Sequence, residues 1–140
     1  MRDEYKKILV AVDGSDQSKE AIHEAVAIAK RNKTSLFVLH VKDETRLRGT
    51  PYALAINLDD LETESKEIIA EVEVLINDEV EFEVHALGNP KKEIINFAKQ
   101  FELDLIVVGS NGKGLLDRML VGSTTSYVVN HAPCNVMVVK

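Results

Sequence analysis

One cysteine, Cys134, is all the chain has, so it can form no internal disulfide. A lone thiol suits a reducing compartment, and a cytoplasmic location is expected. Basic residues are in the minority: Lys plus Arg number 17 against 23 Asp plus Glu, a formal net charge of −6. A nucleic-acid binder normally carries a basic patch that displaces counterions from phosphates. The short clusters Lys6-Lys7 and Lys30-Arg31 with Lys33 do not amount to one. Also missing are a charged start followed by an apolar run and any apolar stretch long enough to cross a bilayer. Neither a secretion signal nor a membrane partner is expected. There is no internal repeat, linker or low-complexity tract, so residues 1–140 read as a single domain. With 45% hydrophobic and 29% charged residues, that domain can bury one substantial core.

What is present is a repeating alternation of two patterns. Lys7-Ile8-Leu9-Val10-Ala11-Val12, Ser35-Leu36-Phe37-Val38-Leu39-His40-Val41, Leu105-Ile106-Val107-Val108 and Asn135-Val136-Met137-Val138-Val139 read as buried strands, each built on an apolar run rich in β-branched residues. A parallel strand covered on both faces requires that kind of run. Residues 80–87 alternate instead, which places them nearer a sheet edge. Between the strands lie helical stripes: Ile22, Ala25, Val26 and Ala29; Leu61, Ile68, Ile69, Val72, Leu75 and Ile76; and Ile94, Ile95, Ala98 and Phe101. Asp59 with Glu62 has the form of a capping box, and Asn89-Pro90 sets a cap residue before a first-turn proline. Residues 123–130 complete a fourth helix. The order β-α-β-α-β-α-β-α-β implies an open parallel sheet with right-handed crossovers and helices on both faces, a Rossmann-like α/β fold. Residues 42–58 show no clear period, and they read either as a functional lid or as a mobile loop.

In an open parallel sheet, ligands bind beyond the carboxyl ends of the strands, where strand order reverses. Two segments are unusual there. The first strand runs out through Ala11-Val12-Asp13-Gly14-Ser15. The fourth ends in Gly109-Ser110-Asn111-Gly112, and Gly122-Ser123-Thr124-Thr125 opens the last helix, giving the pattern G-x2-G-x9-G-[ST]. Gly109 lets the chain turn off the strand and pass close to a ligand. Gly112 and Gly122 can present backbone N–H groups to phosphate oxygens, and Ser123 adds a hydroxyl beside the positive end of a helix dipole. Thr124 and Thr125 supply further donors, and Lys113 can assist from solvent. Taken singly, each glycine is better explained by a tight turn or a helix cap; the combination points to a polyphosphate. The segment is not a Walker A loop, since Gly112-Lys113-Gly114 lacks the required spacing, and no G-x-G-x-x-G follows the first strand.

Residues 8–15, the glycine segment from Gly109 to Ser123, and His131-Ala132-Pro133-Cys134-Asn135-Val136 together closely resemble the universal stress protein family over essentially the whole chain. The resemblance extends to the ATP-binding branch of that family. It implies a five-stranded parallel sheet in the order 3-2-1-4-5, of the adenine nucleotide alpha hydrolase-like type. It also implies ATP as ligand, with ADP or AMP as alternatives, together with Mg2+. By the same resemblance Asp13 would contact the ribose or a phosphate-bound Mg2+. Ala11, Val12 and Val41 would line the adenine pocket. Gly109, Ser110, Asn111, Gly112, Gly122, Ser123, Thr124 and Thr125 would hold the phosphates. A homodimer through the C-terminal edge strand is expected, because an apolar edge invites pairing.

The remaining chemistry-bearing residues have simpler explanations. Asp13, Ser15 or Asp16 would each serve as a helix cap. Cys134 reads as a packed small residue, with no His–Asp pair to activate it. His23, His40, His85 and His131 show no metal-ligand spacing, and the glutamates of residues 62–73 read as a solvated helix face. Three function classes follow: a nucleotide-binding regulatory protein, a slow ATPase, and a stress dimer that binds no nucleotide. An adenylating enzyme of similar sheet would carry Ser-Gly-Gly-x-Asp-Ser after its first strand, which Asp13-Gly14-Ser15-Asp16-Gln17-Ser18 does not match. Only Asp13, Lys113 and Arg118 are candidates for hydrolytic chemistry, and the glycine pattern favours binding.

Overall fold

Four of the five strands are built from side chains that are apolar on both faces. A computed structural model of the chain describes residues 4–44, 47, 49–76, 82–110 and 121–140, with the backbone alone at 56 and 82–87. The strands are β1 (Lys7–Val12), β2 (Ser35–Asp43), β3 (Phe82–Gly88), β4 (Leu105–Gly109) and β5 (Asn135–Val139). The helices are α1 (Asp16–Asn32), α2 (Pro51–Ile76), α3 (Pro90–Gln100) and α4 (Ser123–His131). The strands form one sheet in the order β3-β2-β1-β4-β5, every neighbouring pair parallel. This is a single-domain α/β fold. β3, the strand that alternates in sequence, is at one edge and β5 at the other.

Because strand side chains alternate faces, one run of aliphatics feeds two cores. Ile8, Val10 and Val12 of β1 join Leu36 and Val38 of β2 under Ile22 and Ala25 of α1 and Ile68 and Val72 of α2. Leu9 and Leu39 join Ile106 and Val108 of β4 under Ile94, Ile95, Phe97 and Ala98 of α3 and Val128 of α4. At the far end of the sheet, the carboxylate of Asp104 accepts the backbone N–H groups of Lys6 at 2.8 Å and Lys7 at 3.0 Å. This buried residue ties the start of β1 to the start of β4.

Helix ends follow local chemistry. Asn89 caps α3 by accepting from Lys91 N–H, with Pro90 in the first turn. The second helix corrects the expectation from sequence. Residues 42 and 43 belong to β2, and α2 begins at Pro51, so most of residues 42–58 is strand and helix rather than loop. The start is set by Thr50, whose Oγ1 accepts from Ala53 N–H at 3.3 Å, and by the proline that follows it. Asp59 therefore sits inside the helix and caps nothing.

Candidate functional site

The connection from β1 leads through α1 to β2 on one side, and that from β4 leads through α4 to β5 on the other. The tips of β1 and β4, which pair directly, thus flank the point where strand order reverses. Two helices begin there, and their first turns are treated differently.

The first turn of α1 is closed by its own side chains. Gly14 takes φ of +85°, a conformation costly for any other residue, and so turns the chain off β1. One oxygen of the half-buried Asp13 carboxylate accepts from Ser15 N–H at 2.9 Å. Ser15 is the N-cap, its Oγ accepting from Ser18 N–H at 3.1 Å, and Ser18 Oγ donates back to the Ser15 carbonyl at 3.2 Å. Of the three caps that the sequence allows, Ser15 holds the role, while Asp13 closes the turn before it.

The first turn of α4 has no such closure. Gly122 is its N-cap and has no side chain to offer, and among the described residues no side-chain cap accepts from the helix's leading N–H groups. Gly122 has φ of −64° and ψ of 159°, open to any residue, so backbone conformation does not require a glycine here. The turn is nevertheless firmly placed. Ser110 N–H donates to the Val139 carbonyl and Gly122 N–H to the Ser110 carbonyl, each at 2.7 Å. Thr125 Oγ1 donates to the Gly109 carbonyl at 2.6 Å. Backbone N–H groups and the positive end of a helix dipole therefore stand at the strand tips without a side-chain acceptor among the described residues, the arrangement that receives an anion.

Not every residue singled out in sequence takes the part assigned to it. Ser123 is exposed and Thr124 half-buried at the open turn, whereas Thr125 is buried and its hydroxyl is engaged by Gly109. Ser110 is buried, and its backbone clamps β5 to α4. Gly109 has a packing reason of its own: a Cβ there would stand 2.8 Å from the carbonyl carbon of Gln17 in α1. Val12 and Val41 are not brought together, since Val12 is buried in the core under α1 and α2 while Ala11 and Val41 pack on the face under α3 and α4. Asn111, Gly112, Lys113 and Arg118 lie outside the described residues.

Two of the histidines are placed by hydrogen bonds. His40 is buried, with Nδ1 sharing a hydrogen bond of 2.9 Å with Ser65 Oγ of α2, and His131 Nδ1 donates to the Tyr127 carbonyl at 2.9 Å. Cys134 is half-buried against the α3–α4 core. Among the described residues no three His, Cys, Asp or Glu side chains group to hold a metal, and no helix is long and apolar enough to cross a membrane. A separate cavity of about 650 Å3 opens at the opposite end of the strands, lined by Tyr5, Ile28, Arg31, Asn32, Asn135 and Met137.

The fold, the two contrasting helix starts and the glycine pattern can be set beside known proteins. The model of the universal stress protein family matches residues 4–140. The chain belongs to the universal stress protein family. It is 36% identical to the universal stress protein MJ0531 of Methanocaldococcus jannaschii, over 97% of this chain and 82% of that relative. The solved structure of universal stress protein UspA from Lactobacillus plantarum superimposes with a TM-score of 0.85 at 39% identity, covering 99% of this chain and 100% of that one. Two universal stress proteins that share the fold at 24% and 22% identity were solved with nucleotides: one from Archaeoglobus fulgidus with dAMP (TM-score 0.69, 97% and 98% covered) and one from Arabidopsis thaliana with AMP (TM-score 0.69, 96% and 91% covered).

Proposed function

We propose that this universal stress protein binds an adenine nucleotide at the tips of β1 and β4, with ATP as the principal ligand, and acts as a regulatory protein rather than a catalyst. The observation that carries the reading is the α4 start: leading N–H groups with no side-chain acceptor among the described residues, beside the Asp13 turn, at the sheet's switch point. Family membership supports it, as do the nucleotides held by two proteins of the same fold. Ser123, Thr124 and the α4 N–H groups receive the phosphates. The Asp13 carboxylate faces the ribose or a phosphate-bound Mg2+, which would neutralise part of the phosphate charge. Backbone and aliphatic groups at the ends of β1 and β2, Ala11 and Val41 among them, bound the base.

Calorimetric titration with ATP tests this. A dissociation constant on the order of micromolar, about 8 kcal/mol, is expected for the wild type. Gly122→Val keeps an allowed backbone conformation while setting a branched side chain at the phosphate path, so it should bind no ATP and retain its circular dichroism. A folded variant with unchanged affinity would remove the phosphates from α4.

The chain is further proposed to form a homodimer along β5. Met137 is 36% exposed on this edge strand, and Val136, Val138 and Val139 are only half-buried. A free apolar edge favours a two-fold pair. Light scattering at micromolar concentration should give twice the chain mass, reduced to one by Val138→Glu and unaffected by Lys140→Glu. A monomeric wild type would refute the dimer.

A further inference from the structure

Helix α2 is longer than the sheet it covers. Its buried side chains, Leu61, Ser65, Ile68, Ile69, Val72 and Ile76, recur every three or four residues and so form one stripe. Three contacts mark where the sheet ends beneath that stripe. Ser65 Oγ meets His40 Nδ1 at 2.9 Å, and Glu62 Oε1 meets Lys42 Nζ at 2.6 Å. Ile68 lies 3.0 Å from the place a Cβ on Gly14 would occupy. His40 and Lys42 stand near the end of β2, which stops at Asp43, and Gly14 already lies past the end of β1. Residues 51–61 therefore run on beyond the strand tips, about 16 Å of helix at the standard rise.

The apolar stripe does not stop where the sheet does. Three and then four residues back from Leu61 stand Leu58 and Leu54, on the same side of the helix. Leu61 is 4% exposed, but Leu58 and Leu54 are 38% and 37% exposed, because no strand lies beneath them. Leu54 and Leu58 thus continue, past the strand tips, the stripe whose Ile68 packs beside Gly14 in the Asp13–Gly14 turn.

We infer that Leu54 and Leu58 form an apolar wall for the base of the nucleotide, so that α2 sets the preference for a large, flat heterocycle while α4 holds the phosphates. The inference rests on the nucleotide reading above. The base is the one part of such a ligand with extended apolar faces, and seating it against two half-exposed leucines removes apolar surface from water on both partners. A purine covers more of the wall than a pyrimidine, so the wall acts on discrimination between bases as well as on affinity.

Two variants test it. The chain contains no tryptophan, so Leu58→Trp places a single indole on the overhang. Its emission should shift on addition of ATP, saturating at the dissociation constant found by calorimetry. In the Leu54→Ser/Leu58→Ser variant, whose altered positions are already partly exposed, ATP should bind roughly tenfold more weakly. The ATP-over-UTP affinity ratio should fall with it, because both nucleotides keep the same phosphate contacts. Wild-type binding that survives the double substitution with its ATP:UTP ratio intact would overturn the wall and leave the phosphate site standing. The wall is overturned equally if the double variant loses dimer mass but not ATP affinity, since the stripe would then be a self-contact. A wild type that binds no ATP would overturn both the wall and the phosphate site.

Discussion

Gly109 offers the sharpest separation of packing from ligand contact. Its chemistry in sequence invites a ligand role, yet in the structure it is the point where the tip of β4 meets the first turn of α1. A Cβ added to Gly109 would lie 2.8 Å from both the carbonyl carbon and the Cβ of Gln17, and 3.0 Å from the Gln17 carbonyl oxygen. Carbon atoms pack at about 3.5–4.0 Å, so Gly109→Ala demands a displacement of roughly 0.7–1.2 Å. Two of the three obstructing atoms are backbone and cannot rotate away. The helix or the strand tip has to move, and overpacking of this kind costs about 1–3 kcal/mol. For a domain of this size that lowers Tm by roughly 3–12 °C, measured by circular dichroism. The displaced turn carries the Ser15 cap and the Asp13 contact, so ATP affinity should fall in the same variant. An unchanged Tm with lost ATP binding would refute this reasoning, since Gly109 would then face the ligand and not Gln17.

Further outcomes follow from the same contacts. Thr125→Val removes the hydroxyl that donates to the Gly109 carbonyl; urea unfolding should show a loss of about 1–2 kcal/mol, and calorimetry a weaker grip on ATP as the start of α4 loosens. Asp104→Ala leaves the Lys6 and Lys7 N–H groups without their acceptor. It should cost about 2–3 kcal/mol in urea unfolding while leaving the ATP dissociation constant unchanged, because this contact lies at the other end of the sheet. Phosphate release from ATP should run far below the typical enzymatic turnover of about 10 per second. Among the described residues Asp13 is an acidic group at the crevice, and its carboxylate already closes the turn by accepting from Ser15 N–H. Rapid release that disappears in Asp13→Ala would contradict this.

The strands were legible because their physics is local: residues 8–12, 36–41, 105–108 and 136–139 must be apolar on both faces to sit between helix layers, and sequence shows that directly. The beginning of α2 was not, although Thr50-Pro51 carried the signal of a cap followed by a first-turn proline. Among the described residues of its first ten, none is buried, so no buried stripe is required there and the 3.6-residue period fades. At the site, the glycine and hydroxyl pattern marked Gly122-Ser123 as a helix start, and α4 begins there. It could not reveal that Thr125 turns inward to Gly109, because a hydroxyl's partner depends on tertiary placement. The separation of Val12 from Val41 depends on register. Val12 stands opposite His40, which puts Val41 on the other face, and that offset is visible only once β1 and β2 are paired.

The location of the nucleotide is the central claim, and an ATP titration followed through backbone amide chemical shifts tests it residue by residue. The largest changes should fall on Ser123, Thr124 and the residues 13–15 turn, with smaller ones on Leu54 and Leu58. Tyr5, Asn32 and Asn135, which line the cavity at the opposite end of the strands, should stay still. Shifts concentrated on those three residues, or none anywhere at millimolar ATP, would contradict the account.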